Sequence, residues 1–502
     1  MKSEYEALLS QHTWDLVPLP SNRKPVWCKW VFRIKNNLDG SINKYKARLV
    51  AKGFTQVPGF DYKETFSPVI KPVTIRIILT LTLTNGWDLF HLDVNNAFLN
   101  SSLDETDYMI QPPGFESSDK SLFCRLNKAL YGSKQASRQW FDKLHSTFLS
   151  LGFQETKYDP SLFFFQQHSH TIYILVYVDD ISIIGSFADL IQRLTTRLHH
   201  SFALKQLGKL NYFLGIEIQY HSSSSIVLTQ GKCLRDLLHK TNMIDAHSTS
   251  TPMASSSKLS KVGSPPFSNP TLYRSVVGSL QYATITHPEI SYVVNKVCQF
   301  LSHPLESHWI AVKRILRYLC GTTSFGLHLR AASPSVPYSF TALCDVDWAS
   351  DIDDKKSTSG ATIFLGPNLI SRWSRKQRVI ARSSTEAEYR SLAQTSTELS
   401  WRIQALLKEL NILVSTPIVH YDNQSAVAIA HNLVFHSKTK HMEIDVFFVR
   451  EQVLSKNLFV SHIPSLDQWA DALTKPLSLA RFISLRSKLQ VLDFTTNPSL
   501  PV

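Results

Sequence analysis

The stretch YILVYVDDISIIG, residues 173–185, limits the possible folds more than any other part of the chain. Runs of β-branched and aromatic residues flank Asp179 and Asp180, a pattern that predicts two strands joined by a two-residue turn. Such turns favour Asn-Gly or Asp-Gly, because their central residues need positive φ. Two adjacent carboxylates are a poor turn sequence and repel each other. Their position therefore indicates a chemical role.

Length and charge give broader limits. A chain of 502 residues is too long for one hydrophobic core, so several domains are expected. Lys and Arg total 53 against 40 Asp and Glu, a formal charge of +13 that a nucleic-acid partner or a solubilising surface explains equally well. Six cysteines without zinc spacing indicate reduced thiols. No apolar run is long enough to cross a bilayer, so we expect a soluble intracellular protein with no membrane partner.

The sequence pattern divides the chain into five segments. Residues 1–247 alternate short strand and helix patterns, with an LDG turn predicted at 38–40. The stretch 248–270, rich in Ser, Pro and Lys, is typical of a linker that buries little apolar surface. Helical patterns follow over 271–337. An α/β domain is predicted over 338–475, with a tail over 476–502.

One candidate acid cluster lies in the first segment. The strand LFHLDV ends at Asp93, and if it lies beside the 173–185 hairpin, then Asp93, Asp179 and Asp180 converge. Clustered carboxylates suit Mg²⁺, and two such ions can hold both oxygens of a phosphoryl displacement. Taken alone, Asp93 is more simply explained as an ordinary strand-end acid.

A second set of acids lies in the α/β domain, in strand and helix settings. Asp345 and Asp422 are predicted to end strands, Asp471 lies in a helical pattern, and Glu388 lies near a helix start. Ser384 or Thr385 can cap that helix. Asp347 and Glu386 remain alternatives to the neighbouring acids Asp345 and Glu388.

Two positions along a helix turn a side chain by about 200°, so only one of Glu386 and Glu388 can face a common site. The apolar helical pattern that follows favours Glu388.

Longer stretches of the sequence resemble those of copia-type LTR retrotransposon polyproteins, and they occur in the same order. They include LDVNNAFLNSSLDETDYMIQPPGF, LNKALYGSKQASRQWF, SSTEAEY, YDNQSA and ADALTKPL. The likeness runs from about residue 3 to about residue 490. It implies an α+β right-hand polymerase with palm, fingers and thumb, a helical connection, and an α/β RNase H-like domain.

The resemblance also implies roles in the polymerase part. Asp93 and Asp179 would bridge metal ions, with Asp180 less central, and Phe98 would be an aromatic gate against a ribose 2′-hydroxyl. Cations of the second finger strand could grip the triphosphate, a solvated basic strand face being the alternative; they are Lys46, Arg48 and Lys52. Further substrate contacts are expected in LYGSKQAS and in a primer-grip turn in YFLG, at Gly132, Lys134, Leu214 and Gly215.

In the RNase H-like domain, the resemblance implies four metal ligands, namely Asp345, Glu388, Asp422 and Asp471. His462 is a candidate mobile base that carries protons, although a lone surface histidine is the simpler explanation. A basic patch at 436–441 is expected to contact phosphate.

These roles predict an RNA-directed DNA polymerase with ribonuclease H activity, which copies retrotransposon RNA by two-metal nucleotidyl transfer and cleaves RNA in the hybrid. The expected cofactor is Mg²⁺, two ions per active site, with Mn²⁺ as a substitute. The expected partners are RNA template, DNA primer, RNA–DNA hybrid and dNTPs, and the expected locations are cytoplasmic virus-like particles and the nucleus. The alternative is a catalytically inactive, nucleic-acid-binding remnant of a decayed element, because the sequence shows no protease or integrase part.

Overall fold

The computed structural model describes residues 1–36, 41–167, 170–333, 337–431 and 443–494, so the LDG turn predicted at 38–40 lies outside the described residues. The described α-helices are α1 (Lys2–Ser10), α2 (Pro72–Asn85), α3 (Ala136–Ser150), α4 (Ala188–Ser201), α5 (Gly231–Lys240), α6 (Pro270–Ala283), α7 (Ser291–Cys298), α8 (Glu306–Cys320), α9 (Ser384–Thr397), α10 (Gln404–Glu409), α11 (Gln424–His431), α12 (Glu443–Leu454) and α13 (Leu479–Lys488). The described strands are β1 (Trp14–Pro18), β2 (Cys28–Asn36), β3 (Ile42–Ala51), β4 (Asp88–Val94), β5 (Ser102–Met109), β6 (Leu122–Lys128), β7 (Gln154–Glu155), β8 (Leu162–Gln167), β9 (His170–Tyr177), β10 (Asp180–Gly185), β11 (Leu204–Lys209), β12 (Tyr212–Phe213), β13 (Ile216–Ser222), β14 (Ser225–Thr229), β15 (Phe325–Arg330), β16 (Phe340–Asp347), β17 (Thr358–Leu365), β18 (Asn368–Lys376), β19 (Ile418–Tyr421), β20 (Phe459–His462) and β21 (Val491–Asp493). None of these helices is long and apolar enough to span a membrane.

The chain divides into two compact units that alternate along the sequence. Unit 1 combines residues 1–70 with 89–209, and unit 2 combines 71–88 with 210–502. The segment limits predicted at 247, 270, 337 and 475 do not coincide with this division, and they stay predictions.

Unit 1 is built on a six-stranded sheet in the order β11-β4-β10-β9-β8-β7. A three-stranded sheet, β1-β6-β5, and the β2–β3 hairpin complete its strands. Helix α3 buries Trp140, Leu144 and Phe148 in the core, which also includes the apolar side of α4. The predicted α+β character of this part is confirmed.

Unit 2 contains two five-stranded sheets, β12-β13-β14-β15-β21 and β18-β17-β16-β19-β20. In the second sheet β16, β17 and β18 are antiparallel, whereas β16, β19 and β20 run parallel. Helices α9 and α11 contact this sheet, and α12 contacts α9. The helices α5, α6, α7 and α8 share a separate hydrophobic core. The α/β arrangement predicted for the C-terminal part is confirmed.

The stretch 248–270 has no described strand, and only its last residue belongs to a helix. It nevertheless packs on unit 2, because Phe267 is buried and its ring stacks on Trp309 at 4.8 Å. The expectation that this stretch buries little apolar surface is wrong at Phe267.

Candidate active sites

The turn between β9 and β10 consists of Val178 and Asp179, because Tyr177 pairs with Asp180 across the hairpin. The predicted two-residue turn is confirmed, but it lies one residue earlier than Asp179-Asp180, so Asp180 opens β10. Val178 has a φ of 51°, which is a strained conformation for a β-branched residue. The two acids therefore occupy different positions, one in the turn and one on the strand.

A buried tryptophan fixes this strained turn. The indole Nε1 of Trp140 donates a hydrogen bond of 2.7 Å to the carbonyl of Val178. The Trp140 ring is itself held edge-on against Phe202, with 5.2 Å between centroids. Trp140 thus links α3 to the residue before Asp179.

Asp93 lies beside the turn, as predicted. Strand β4 neighbours β10, and the N–H of Val94 donates to the carbonyl of Asp179 at 2.9 Å. Burial raises the pKa of Asp179, and the negative charges of Asp180 and Asp93 raise it further. The structure therefore brings the three predicted acids into one electrostatic neighbourhood.

Asp180 has a partner that the sequence analysis missed. The buried His91, two residues before Asp93 on β4, places its Nε2 3.1 Å from Oδ1 of Asp180. Alternation along β4 puts His91 and Asp93 on the same face, which is the only sequence signal for this contact.

Tyr131, from LYGSKQAS, is a second residue that the sequence analysis missed. Phe98, the predicted gate, is only 8% exposed within the core of unit 1, and its ring meets Tyr131 edge-on at 4.8 Å. Burial raises the pKa of Tyr131, and the charges of Asp179 and Asp93 add to that shift. Tyr131 therefore contacts Phe98 and also responds to the charges of the acids, and the gate role of Phe98 stays a prediction.

The three candidate cations differ in their surroundings. The guanidinium of Arg48 lies 4.3 Å from the centroid of the Tyr131 ring. Lys46 is two residues away on β3 and so shares that face. Lys52 follows the strand, with its Nζ 5.8 Å from the centroid of Trp27. Arg48 also acts on the acids, because its positive charge lowers the pKa of Asp179 against the effect of burial.

Glycine is required at position 132, because a side chain there would collide with the backbone of Ala51. Its φ is 89°, and a Cβ there would lie 2.2 Å from the carbonyl oxygen of Ala51. The next turn is held by Gln56, whose Oε1 accepts from the backbone N–H of Lys134 at 2.8 Å. The side chain of Lys134 is exposed.

The predicted primer-grip turn is a β-hairpin turn of unit 2. Leu214 and Gly215 have φ of 52° and 66° and join β12 to β13, which is typical of a type I′ turn. The hydroxyl of Tyr282 donates to the carbonyl of Leu214. The turn is confirmed, and its contact with a primer stays a prediction.

The second acid cluster gathers around a lysine in unit 2. Strands β16 and β19 pair in parallel with Leu343 opposite His420, so Asp345 is level with Asp422, which follows β19. Asp345 lies within β16 rather than at its end as predicted. The ammonium of Lys475 lies 3.3 Å from Asp345 and 2.9 Å from Asp471.

Burial raises the pKa of Asp345 to about 7, against the lowering effect of Lys475. The Thr474 hydroxyl donates to the same carboxylate. A guanidinium nitrogen of Arg481 lies 3.3 Å from Asp471. The stretch ADALTKPL contains Thr474 and Lys475 and is the sequence signal for their contacts, whereas Arg481 lies outside it.

Glu388 and Glu386 have different surroundings. Glu386 lies at the start of α9, where its carboxylate accepts from the backbone N–H of Arg382 at 2.7 Å and its own backbone N–H donates to the hydroxyl of Ser383. The capping residue is therefore Ser383, not Ser384 or Thr385. Glu388 accepts from the Tyr421 hydroxyl, and burial together with Asp422 raises its pKa to about 7. The geometry favours Glu388 as the acid that faces the cluster.

Gln468 was also missed by the sequence analysis. Its Nε2 donates to the carbonyl of Cys344 at 2.9 Å and to Asp422 at 3.4 Å. His462 is exposed at the end of β20, where it pairs with Tyr421. Its role stays a prediction, as does that of Asp347. The basic patch at 436–441 lies outside the described residues.

Both clusters fit Mg²⁺ by the chemistry of their donors, because hard divalent cations prefer carboxylate oxygens. Lys475 shows that carboxylates of the second cluster accept a shared cation. Among the residues that the structure describes, however, no group of three or more Asp, Glu, His or Cys side chains is arranged to hold a metal ion. Metal binding at both sites therefore stays a proposal.

The chain is similar to known proteins over nearly its whole length. A family model described as reverse transcriptase (RNA-dependent DNA polymerase) matches residues 11–255. The Pol polyprotein from transposon RE1 of Arabidopsis thaliana is 48% identical over 98% of this chain and 33% of that protein. The polyprotein from transposon TNT 1-94 of Nicotiana tabacum is 39% identical over 96% of this chain and 37% of its own length.

A transposon Ty5-1 protein of Saccharomyces cerevisiae is 32% identical over 61% of this chain and 100% of that protein. The chain spans about a third of the length of the Arabidopsis and tobacco polyproteins. A solved foamy viral protease-reverse transcriptase bound to double-stranded DNA covers 95% of this chain and 82% of its own, at 12% identity and a TM-score of 0.24. A TM-score this low does not establish a shared fold.

Proposed function

This chain belongs to the family of copia-type LTR retrotransposon Pol polyproteins, and we propose that it is an RNA-directed DNA polymerase with ribonuclease H activity. The observation that carries the proposal is the hydrogen bond from Val94 to Asp179, which joins the strand of Asp93 to the acidic turn. Without that pairing, the first cluster would be two unrelated strand-end acids.

In the polymerase site, Asp93 and Asp179 would hold Mg²⁺, and Asp180, paired with His91, has the smaller part. Bound Mg²⁺ would supply positive charge that lowers the pKa of the attacking 3′-hydroxyl and neutralises charge on the triphosphate. Arg48 would contact the triphosphate from the finger strand. The hydrogen bond from the Trp140 indole to the Val178 carbonyl keeps the acidic turn in place.

In the ribonuclease H site, four acids would hold Mg²⁺, namely Asp345, Glu388, Asp422 and Asp471. Lys475 keeps the charges of Asp345 and Asp471 compensated in the metal-free chain. The partners are then an RNA template, a DNA primer, dNTPs and the RNA–DNA hybrid. The copying of retrotransposon RNA in virus-like particles, with the nucleus as a second location, is part of this proposal.

Primer extension on an RNA template with Mg²⁺ tests the polymerase proposal. We expect Asp179→Asn to lower extension about a hundredfold or more, because a carboxylate that would hold Mg²⁺ is lost. Asp189→Asn, an exposed acid on α4, is the matched control and should extend normally. A wild-type chain that binds hybrid but does not extend the primer would support the inactive remnant instead.

Cleavage of a labelled RNA–DNA hybrid tests the second site separately. Asp422→Asn and Glu388→Gln should lose cleavage yet keep extension, whereas Asp179→Asn should keep cleavage. Glu386→Gln is the matched control, since it alters a helix cap rather than the cluster. If Glu386→Gln abolished cleavage and Glu388→Gln did not, the assignment of Glu388 would be wrong.

A further inference from the structure

A cavity of about 480 Å³ lies in unit 2, between helix α8 and the stretch 252–259. We define the strap as residues 252–259, PMASSSKL, which form one wall of the cavity, while residues of α8 form the opposite wall. Small-molecule sites in proteins usually have volumes of about 300–1,000 Å³. The cavity is therefore large enough to hold a small ligand.

The N-terminal end of the strap is tied to α8 by two arginines. A terminal guanidinium nitrogen of Arg314 donates to the hydroxyl of Thr251 at 3.0 Å. The Nε of Arg317 donates to the carbonyl of His247 at 2.7 Å. These two bonds hold the chain against α8 just before the strap begins.

The C-terminal end of the strap is tied to the first turn of α8. The Nε2 of His308 lies 2.9 Å from the carbonyl oxygen of Ser260, and the backbone N–H of Glu306 donates to the carbonyl of Pro265 at 2.9 Å. The strap is thus fixed at both ends before any ligand binds, which lowers the entropy cost of binding.

The wall that α8 contributes carries positive charge. Lys313, Arg314 and Arg317 line the cavity, and no Asp or Glu is among its lining residues in the described part of the chain. Lys313 is exposed and forms no ion pair with any described residue. The Nε of Arg314 is buried without a hydrogen-bond partner among the residues that the structure describes. An anion in the cavity would supply the acceptor that these cations lack.

The remaining lining is mostly apolar and adaptable. Met243, Met253 and Leu259 line the cavity and pack on the hydrophobic core shared by α5, α6, α7 and α8. Methionine side chains adjust to ligands of different shape, because they are flexible and polarizable. Among the described lining residues none is aromatic, so the cavity suits an aliphatic body better than a base that would stack on a ring.

We propose that this cavity binds a small amphiphilic anion, with its carboxylate or phosphate head on Lys313 and Arg314 and its aliphatic body against Met243, Met253 and Leu259. The positive wall favours an anion over a neutral apolar ligand. None of the residues that line the cavity belongs to either acid cluster. The proposal therefore does not depend on the polymerase or ribonuclease H function.

Isothermal titration calorimetry of the full chain with decanoate tests the proposal. We expect one decanoate per chain, bound at least about tenfold more tightly than decanol, which lacks the charge, and than acetate, which lacks the aliphatic body. Decyl phosphate in the same assay shows whether a phosphate or a carboxylate head binds more tightly. Equal affinity for decanoate and decanol would overturn the proposal.

Lys313→Met/Arg314→Met should lower the affinity for decanoate about tenfold or more and leave the affinity for decanol unchanged. The matched control, Lys232→Met/Arg235→Met, removes two exposed cations of α5 that do not line the cavity, and it should bind like the wild type. Wild-type affinity for decanoate in the α8 variant would show that the cations do not hold the head, and the proposal would be wrong.

Ala311→Leu separates binding from the attachment of the strap. It keeps both cations and the bond from Arg314 to Thr251, but it adds volume inside the cavity. We expect it to weaken decanoate binding about tenfold with an unchanged melting temperature. Unchanged affinity for decanoate would place the ligand elsewhere and overturn the assignment.

Hydrogen–deuterium exchange locates the bound ligand. Decanoate should slow exchange in the strap and in α8, and binding without protection of the strap would contradict the proposal. Co-sedimentation with vesicles of phosphatidylglycerol distinguishes a free anion from a membrane lipid. A chain that binds these vesicles through Lys313 and Arg314 but does not bind decanoate would overturn the assignment of a small ligand.

Discussion

Single buried groups hold the polymerase part in place, and Asp107 is the clearest case. It is 1% exposed, and its Oδ2 accepts from the side-chain amides of Gln56 and Gln135, each at 2.8 Å. Its Oδ1 has no partner among the described residues. Burial raises the pKa of Asp107 to about 6. The carboxylate thus joins the loops that contain Gln56 and Gln135. Keeping it ionised in this buried position nevertheless costs free energy.

Asp107→Asn should make the stability of the chain less dependent on pH. A raised pKa means that the folded state binds the proton more tightly, so the contribution of Asp107 to stability is largest below about pH 4 and falls as the pH rises through 6. The loss due to Asp107 is at most about 3 kcal/mol. Urea unfolding at several pH values should show the wild type losing stability relative to Asp107→Asn over this window. Parallel profiles would contradict the prediction.

Trp140→Phe should impair polymerisation without unfolding unit 1. The substitution leaves the Val178 carbonyl without its indole donor, which costs about 1–3 kcal/mol. The strained turn that carries Asp179 then loses its anchor, so we expect kcat for primer extension to fall about tenfold, with the KM for dNTP little changed. Phe202→Leu removes the ring contact but keeps the hydrogen bond, and it should retain more activity. Equal losses in the two variants would argue against the anchor.

At the scale of elements, the sequence predicted which strands form but not their register. The hairpin of residues 173–185 was expected, yet Val178 is a strand-forming residue and nothing in the pattern places it in the turn. Ser384 or Thr385 was predicted to cap α9, and the residue before them is also a serine. The structure uses Ser383, whose hydroxyl accepts from the backbone N–H of Glu386 three residues later. Strand register depends on contacts with residues that are distant in the sequence. The choice of a helix cap depends on which side chain reaches the free backbone N–H groups, and neither can be inferred from composition.

Gly132→Ala tests the contact between the 131–135 loop and the end of β3. A Cβ at 132 would lie 2.2 Å from the Ala51 carbonyl oxygen, so the loop must move. We expect a loss of about 3 kcal/mol or more and greatly reduced extension. Gly114→Ala is the matched control, since Gly114 has a similar φ of 81° with nothing within 4 Å of the added Cβ. It should cost only about 1 kcal/mol. Similar urea midpoints for the two variants would contradict the clash.

At the scale of the whole molecule, α2 shows how much of the fold can be predicted from the sequence alone. Its side chains from Val73 to Leu83 are all buried, which is expected of a helix that is apolar on every face and lies inside a protein. The sequence placed it in the polymerase segment, whereas the structure groups it with unit 2. There it packs on β15 and β18, and Arg76 donates to the carbonyls of Ile370 and Ile285. A uniformly apolar helix reveals that it is buried but not which surface covers it.

The fragment 210–502 should therefore be less stable than unit 2, because removing α2 exposes the apolar surfaces of β15 and β18. Ile77, Ile78 and Leu81 are all fully buried, and Asn368 also loses its bond to Thr80. We expect fragment 210–502 to aggregate or to melt at a lower temperature, and a peptide of residues 71–88 to restore solubility and the melting temperature. The same peptide with Ile77→Asp and Leu81→Asp should fail, because two buried carboxylates would be unpaired. If the fragment alone melted at the same temperature with and without the peptide, α2 would not be part of the folding unit that its contacts define.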